Sequence, residues 1–272
     1  MCIRRRTTRI LSSHIIALLL FSLVPFAALQ TPTTPSNLPE ATGEININGS
    51  SLISAPKDAV WNAVLNFSSY PNWNPFVRSQ LVVNEFAIPL DNQTAFVGAK
   101  LIITSQIPPL PKPVDVSTPP DLLTQHITIE EITVIDTENY RVAWVLLSSD
   151  WILNTIRWSA VSTVVDNDGA EKSLYESRET FRGPLASVVQ DLLEDDIAES
   201  FQAQADAFKV WMEGLVRVAE ATYFKNGVLA PDMTRIIFDS KHNLTKNYCS
   251  YFLHTNFHDK AAYLMLRKTR AM

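Results

Sequence analysis

Residues 184–215, PLASVVQDLLEDDIAESFQAQADAFKVWMEGL, form the longest helical pattern in this chain of 272 residues. Large apolar residues recur in steps of three, four or seven, which places them on one face of an α-helix: Leu193, Ile197, Phe201, Phe208, Trp211 and Leu215. Acidic residues lie toward the start, and Lys209 and Arg217 lie toward the end, as the helix macrodipole favours. About 30 helical residues span roughly 45 Å, which is enough to cross a whole sheet.

Seven strand-like runs precede this helix, and turn-forming residues separate them. The first contains Ile45, Ile47, Leu52 and Ile53, and a short helix over 56–67 follows it. The other six runs are 76–86, 94–107, 125–135, 140–147, 155–165 and 173–181. The element order is therefore a strand, a short helix, six strands and the long helix.

Two motifs within this order match a known family. Residues 51–77, SLISAPKDAVWNAVLNFSSYPNWNPFV, resemble the opening of the START-like and Bet v 1-like (SRPBCC) superfamily. Within it they are most similar to the polyketide cyclase/dehydrase and hydrophobic-ligand branch, in which a Val-Trp pair precedes a Trp-Asn-Pro-Phe turn. The segment ETFRGPL, residues 179–185, resembles the family's junction between the last strand and the helix. The resemblance covers about 45–216.

The resemblance implies an α+β helix-grip fold, in which a curved seven-stranded antiparallel sheet wraps around the long C-terminal helix and leaves a cavity. Many relatives in this branch carry a histidine on the strand before the last. Here that stretch is Ile156-Arg157-Trp158-Ser159, so the resemblance implies no imidazole-based mechanism. The proline-rich loop over 107–120 is longer than a usual strand connection, and it is either a rigid surface linker or a lip over the cavity mouth.

The ends of the chain differ in composition from this domain. Four arginines within residues 4–9 precede an apolar run over 10–29, which predicts a secretory signal peptide or an uncleaved signal anchor over 1–29. A Pro/Thr-rich linker covers 30–43, the helix-grip domain 44–217 and an extension of unknown structure 218–272. We expect entry into the secretory pathway, with a transmembrane segment if the signal stays attached.

Four Asn-x-Ser/Thr sequons fit that compartment as glycosylation sites, although such triplets also arise by chance: Asn48, Asn66, Asn92 and Asn243. The net charge of −5 and the lack of a basic stripe beyond the N-terminus argue against nucleic acid as a partner. The chain shows no glycine-rich nucleotide loop and no metal-ligand spacing, so we expect neither a cofactor nor a metal. His254 and His258 are four residues apart, but they lack a third ligand.

Strand alternation selects the candidate catalytic residues. On the last strand Tyr175, Ser177, Glu179 and Phe181 share a face, and the opposite face is mostly charged. The first set is therefore predicted to point inward. A carboxylate in an apolar cavity has a raised pKa and can act as a general acid or base, so Glu179 is the predicted catalytic residue. The alternative is a structural ion pair between Glu179 and Arg157 or Arg141.

Six residues are predicted to contact the ligand, and Tyr175 is a second catalytic candidate as a hydrogen-bond donor. The six are Trp73, Asn74, Trp144, Trp158, Phe181 and Phe201. Aromatic walls suit a flat or polyene ligand, but ordinary core packing explains them equally well. Asn74 either points its amide at a ligand carbonyl or forms the turn.

Three hypotheses about function follow. The first is an enzyme of polyketide-type secondary-metabolite biosynthesis that promotes a cofactor-free cyclisation, aldol or dehydration step on a hydrophobic molecule. The second is a non-catalytic carrier of a lipid, sterol or polyketide. The third is a membrane-tethered interaction domain with a filled core, in which the membrane is reached only through the N-terminal segment. The oligomeric state is not encoded in any pattern found here.

Overall fold

The computed structural model describes residues 36–148, 151–166 and 169–226, with the side chains of the final helix described as far as residue 221. Its strands are β1 (Ile45–Ile53), β2 (Val77–Val83), β3 (Lys100–Gln106), β4 (Gln125–Asp136), β5 (Arg141–Leu146), β6 (Asn154–Val165) and β7 (Glu171–Arg182). The helices are α1 (Lys57–Leu65), a 3₁₀ helix (Phe67–Asn72) and α2 (Ala186–Asn226).

The seven strands form one antiparallel sheet in the order β1-β7-β6-β5-β4-β3-β2. Because β1 and β2 lie at opposite edges, α1 and the 3₁₀ helix connect the two edges of the curled sheet. The long helix α2 packs mainly against β1 and β7. This is the predicted α+β helix-grip architecture, and it is confirmed.

The close approach of α2 to the sheet depends on one glycine of β1. A Cβ atom built on Gly49 would lie 2.3 Å from the carbonyl oxygen of Phe201 in α2, so a larger residue would force the helix away. The predicted apolar face of α2 is confirmed on the same side of the helix, where Phe201, Phe208 and Met212 are buried. Trp73 stacks on the Phe208 ring at a centroid distance of 4.8 Å.

The segment before β1 is fastened across the outer face of the sheet by the side chain of Asn37. Its Nδ2 donates to the carbonyl oxygens of Asn139, at 2.8 Å, and Val161, at 3.0 Å. Its Oδ1 accepts two hydrogen bonds from the Arg141 guanidinium, and its backbone N–H donates to Glu176 at 2.8 Å. Residues of the predicted linker therefore belong to the packed structure of the domain.

The proline-rich connection between β3 and β4 also packs against the domain. Leu110 and Val114 are buried, and Lys112 Nζ forms an ion pair with Asp206 of α2 at 3.2 Å. At the start of this connection, Ile107 reaches the wall of the internal cavity. Part of the loop is thus cavity wall, and the rest is held on the surface by α2 and by the edge of the sheet.

One expectation about the chain is corrected. No helix among the described residues is long and apolar enough to cross a bilayer, so the transmembrane assignment is wrong for this part of the protein. The run over 10–29, on which that assignment rested, lies outside the described residues. Asn243, His254, His258 and the rest of the extension beyond Asn226 also lie outside them.

Candidate functional site

A cavity of about 230 Å³ lies between the sheet and the first half of α2. The α2 side is apolar and is formed by Val189, Leu193 and Ile197. The sheet side combines apolar residues with seven polar ones, which are Ser105, His126, Thr128, Glu130, Thr155, Arg157 and Glu179. The cavity therefore has one apolar wall and one wall that can donate and accept hydrogen bonds.

The register of the strands brings the charged side chains to the same wall. Glu179 of β7 lies directly opposite Arg157 of β6, and Arg157 lies opposite Trp144 of β5. Glu130 of β4 lies opposite Leu146, one step further along β5 on the same face. Directly opposite residues on an antiparallel pair project to the same face, so all three charged groups point inward.

Glu130 carries the best-defined perturbation in the site. Burial disfavours its charged form and raises the pKa of Glu130 to about 7, with a smaller increase from the nearby negative charge of Glu179. A hydrogen bond from the Thr128 hydroxyl, at 2.6 Å, and the positive charge of Arg157 act in the opposite direction. This carboxyl group can therefore give up or take a proton near neutral pH.

Glu179 is shifted in the same direction. It is half-buried because it faces the cavity, and loss of hydration raises the pKa of Glu179 above its ordinary value. The charge of Arg157 and the Thr155 hydroxyl oppose this increase. Because Glu130 and Glu179 raise each other's cost of ionisation, the two carboxyls titrate as a pair.

Arg157 lies between these carboxyls without pairing closely with either. Within the part of the chain that the structure describes, no carboxylate oxygen lies within 4.0 Å of its guanidinium nitrogens. The guanidinium instead lies over the rings of Phe201, at 4.3 Å, and Phe76, at 5.1 Å from the ring centroids. The predicted structural ion pair between Glu179 and Arg157 is therefore absent, and Arg141 lies on the outer face with Asn37.

A polar connection leads from Arg157 to the predicted catalytic tyrosine. An Arg157 terminal nitrogen donates to Gln204 Oε1 of α2 at 3.0 Å, and Gln204 Nε2 donates to the Tyr175 hydroxyl at 2.7 Å. Tyr175 is buried beside Phe208 and does not line the cavity. Its contact with the site is thus indirect, through Gln204 and Arg157.

No protein-family model matches the chain, and no curated protein matches it. Among solved structures, a protein from Thermus thermophilus is 11% identical with a TM-score of 0.44, and 62% of this chain covers 98% of it. A START superfamily protein from Mycobacterium smegmatis is 11% identical with a TM-score of 0.36, and 59% of this chain covers 97% of it. A Thalictrum norcoclaurine synthase point mutant, in complex with a transition-state analogue, is 14% identical with a TM-score of 0.39. In that comparison, 64% of this chain covers 97% of the synthase.

All three structures are less than 25% identical to this chain, and their TM-scores are below 0.5. The chemistry of the cavity therefore follows from this chain's own residues. Among the predicted site residues, Glu179 and Phe181 line the cavity.

The remaining predicted residues occupy other places in the helix-grip fold. Trp73, Trp144 and Phe201 are buried in the core, where Phe201 covers the Arg157 guanidinium. Asn74 is fully buried, and its Oδ1 accepts the backbone N–H groups of residues 76 and 77 at 2.9 Å, which is the turn-forming role. Trp158 lies opposite Ala143 and Arg178, on the face that points away from the cavity.

Several polar residues of the cavity were not predicted from the sequence, and the two that titrate, His126 and Glu130, lie on β4. They alternate with Ile127 and Ile129 along this strand. In the structure the isoleucines are 66% and 44% exposed, and the polar residues face the cavity. The signal that identifies Glu130 is its pairing across the sheet with Leu101, which is buried, and with Leu146, which lines the cavity.

Proposed function

We propose that this protein binds a small, largely apolar molecule in the cavity and promotes a cofactor-free cyclisation, aldol or dehydration step by proton transfer. The observation that supports the proposal is a pair of carboxyl groups, Glu130 and Glu179, that face one cavity beside Arg157 and have raised pKa values. Enzymes tune carboxyl groups toward neutral pH in this way when they use them as acids or bases.

The roles follow from the charge states of the pair. When one of the two is protonated and the other ionised, the protonated carboxyl can donate a hydrogen bond or proton to a carbonyl or departing hydroxyl group. The other, ionised, can remove a proton from a carbon next to a carbonyl. Arg157 is a fixed positive charge at the same wall and would orient an oxygen-bearing substrate relative to the two carboxyls. Each step needs only groups that line the cavity, and dehydration releases water as the second product.

The cavity volume restricts the ligand to compact molecules. Pockets for drug-sized ligands are typically about 300–1,000 Å³, and this cavity is smaller, at about 230 Å³. A molecule of one or two rings fits this volume better than a sterol or a long polyene. A carrier without catalysis uses the same cavity, and the apolar wall formed by Val189, Leu193 and Ile197 is the feature that supports this second candidate.

Native mass spectrometry of the purified protein separates the two functions. We expect a small molecule to co-purify, and incubation with candidate hydroxy-ketone or polyketone precursors should convert a bound precursor to a product lighter by one water. Cyclisation or aldol closure leaves the mass unchanged, so a precursor that keeps its mass is also examined by NMR after release, and only a chemically unchanged precursor supports the carrier. An empty protein that binds none of the precursors would contradict both functions.

We further propose that the domain resides in the secretory pathway. Three predicted glycosylation residues, Asn48, Asn66 and Asn92, are exposed in the structure, as attachment of a glycan requires. For protein made in eukaryotic cells, peptide-N-glycosidase treatment is expected to increase its gel mobility. Asn92→Gln should remove the part of this mobility shift that is due to one glycan. Protein from the same cells that migrates identically before and after treatment would count against this location.

A further inference from the structure

Arg157 is a buried residue of the cavity wall whose guanidinium group is only partly hydrogen-bonded. The side chain is buried, yet its Nε donates only to the Ser177 hydroxyl, at 3.3 Å, and one terminal nitrogen donates only to Gln204, at 3.0 Å. The other terminal nitrogen makes no hydrogen bond within the described chain, and it is not closed off from the cavity. A guanidinium has five N–H donors, so donors remain available at the cavity wall.

The protein builds a rigid support around this cation without neutralising it. Phe76 and Phe201 lie along the guanidinium at 5.1 and 4.3 Å, and the Trp144 ring lies at 5.7 Å. The hydrogen-bond partners Ser177 and Gln204 are uncharged. A buried cation that is held in place but lacks a close counter-charge is costly, and a bound anion would remove that cost.

The two cavity carboxyls do not take this role. Neither lies within 4.0 Å of Arg157 among the described residues, and burial raises the pKa of both, which favours their neutral forms. The groups that face Arg157 are Glu179 on β7 and Glu130 on β4, with His126 further along β4, and α2 contributes no charged residue to the cavity wall. The position next to Arg157 is thus open to an anion from outside.

We propose that Arg157 binds the carboxylate of a compact organic acid, whose apolar body packs against Val189, Leu193 and Ile197 of α2. A guanidinium matches a carboxylate through two parallel hydrogen bonds, and this geometry distinguishes a carboxylate from an amide. The inference rests on the proposed function, because it names the substrate class for the same cavity. Only β5 separates β6, which carries Arg157, from β4, which carries Glu130, so the two strands lie about 10 Å apart. Glu130 can therefore act on the part of the ligand that Arg157 does not hold.

Three probes of nearly equal shape test the inference by isothermal titration calorimetry with the full chain at pH 6. The probes are 2-naphthoate, 2-naphthamide and 2-naphthylmethylamine. We expect 2-naphthoate to bind at least tenfold more tightly than 2-naphthamide, and the amine to bind most weakly. Arg157→Gln should reduce the ratio of naphthoate to naphthamide affinity to about one. Arg182→Gln, which changes an exposed arginine at the end of β7, should leave the ratio unchanged.

The outcomes separate this inference from the function on which it rests. If the amide binds as tightly as the carboxylate, Arg157 is not a carboxylate site, and the cavity still binds a small molecule. Tighter binding of the amine would overturn the inference in favour of a cation held by the two carboxyls. If none of the probes binds at millimolar concentration, the inference and the proposed cavity function both fail. The comparison among probes on the unaltered protein holds even if Arg157→Gln does not fold.

Discussion

Glu179→Gln is expected to lower turnover at least 100-fold while the affinity for the ligand changes less than threefold. The amide has nearly the shape of the carboxyl, so the cavity wall is kept, but it cannot take up or release a proton at neutral pH. General acid–base groups typically contribute about 10²–10⁴-fold to a rate, and 100-fold corresponds to about 2.7 kcal/mol. The measurement is kcat on a precursor identified by mass spectrometry, or exchange of deuterium next to a ligand carbonyl followed by NMR.

Glu171→Gln is the matched control for this variant, because Glu171 is exposed and lies on the same strand, far from the cavity wall. It should retain the exchange rate of the unaltered protein. If Glu179→Gln also retains that rate while binding the ligand, then Glu179 has no catalytic role. The carrier function would then become the better explanation of the cavity.

The stability of the protein is expected to fall by about 3 kcal/mol as the pH rises from 4.5 to 8, and Glu130 is the largest defined source. Burial raises the pKa of Glu130 from 4.5 to about 7 in the folded state, so between these values the folded protein binds more protons than the unfolded chain. Stability therefore decreases with increasing pH in this window. The stability that Glu130 contributes is fully present below pH 4.5 and is lost as the pH rises through about 7.

Urea unfolding followed by tryptophan fluorescence at half-unit pH intervals measures this dependence. Glu130→Gln should remove most of the decrease, because an amide does not titrate. Glu131→Gln, at the next position and on the outer face of β4, should keep the dependence of the unaltered protein. A pH profile that is identical in the unaltered protein and in Glu130→Gln would mean that Glu130 is hydrated in solution.

The fold could be predicted because its main elements are encoded locally. The apolar spacing of Leu193 to Leu215 fixes a helix face, and each strand-like run is bounded by turn residues, so the element order follows from short-range patterns alone. The helix extends to Asn226, beyond the predicted end at Leu215, and residues 216–226 contain neither proline nor glycine. Helix ends are set by weak local signals, which makes them harder to predict than helix faces.

The site could be predicted only in part, since strand alternation gives a face but not which face lies inside. On β7 one face is mostly charged, which assigned that face to solvent and the face with Glu179 to the interior. Glu179 does line the cavity. On β4 the two faces are similar in polarity, and the exposed Ile127 and Ile129 obscured Glu130. Register across three strands decides such cases, and a single sequence does not contain it.

The aromatic residues were overinterpreted for a related reason. Trp73 and Trp144 were predicted to contact the ligand, but the interior of the grip is divided along α2. One part of the core, around Trp73, Phe208 and Trp211, is filled by stacked rings. The cavity lies near the start of α2, where the helix presents the aliphatic side chains of Val189, Leu193 and Ile197. The rings along the helix thus fill one part of the interior, and the cavity lies in the other.

The hydrogen bonds of Asn37 limit how far the N-terminal side of the domain can be truncated. A chain that begins at Glu44 would contain every strand and helix but would lose five hydrogen bonds made by that asparagine. Arg141 and Glu176 would then face water on a bare convex surface, and Arg178 would lose the carbonyl of Pro39. A recombinant fragment that keeps these contacts therefore has to begin upstream of the first strand and include Asn37.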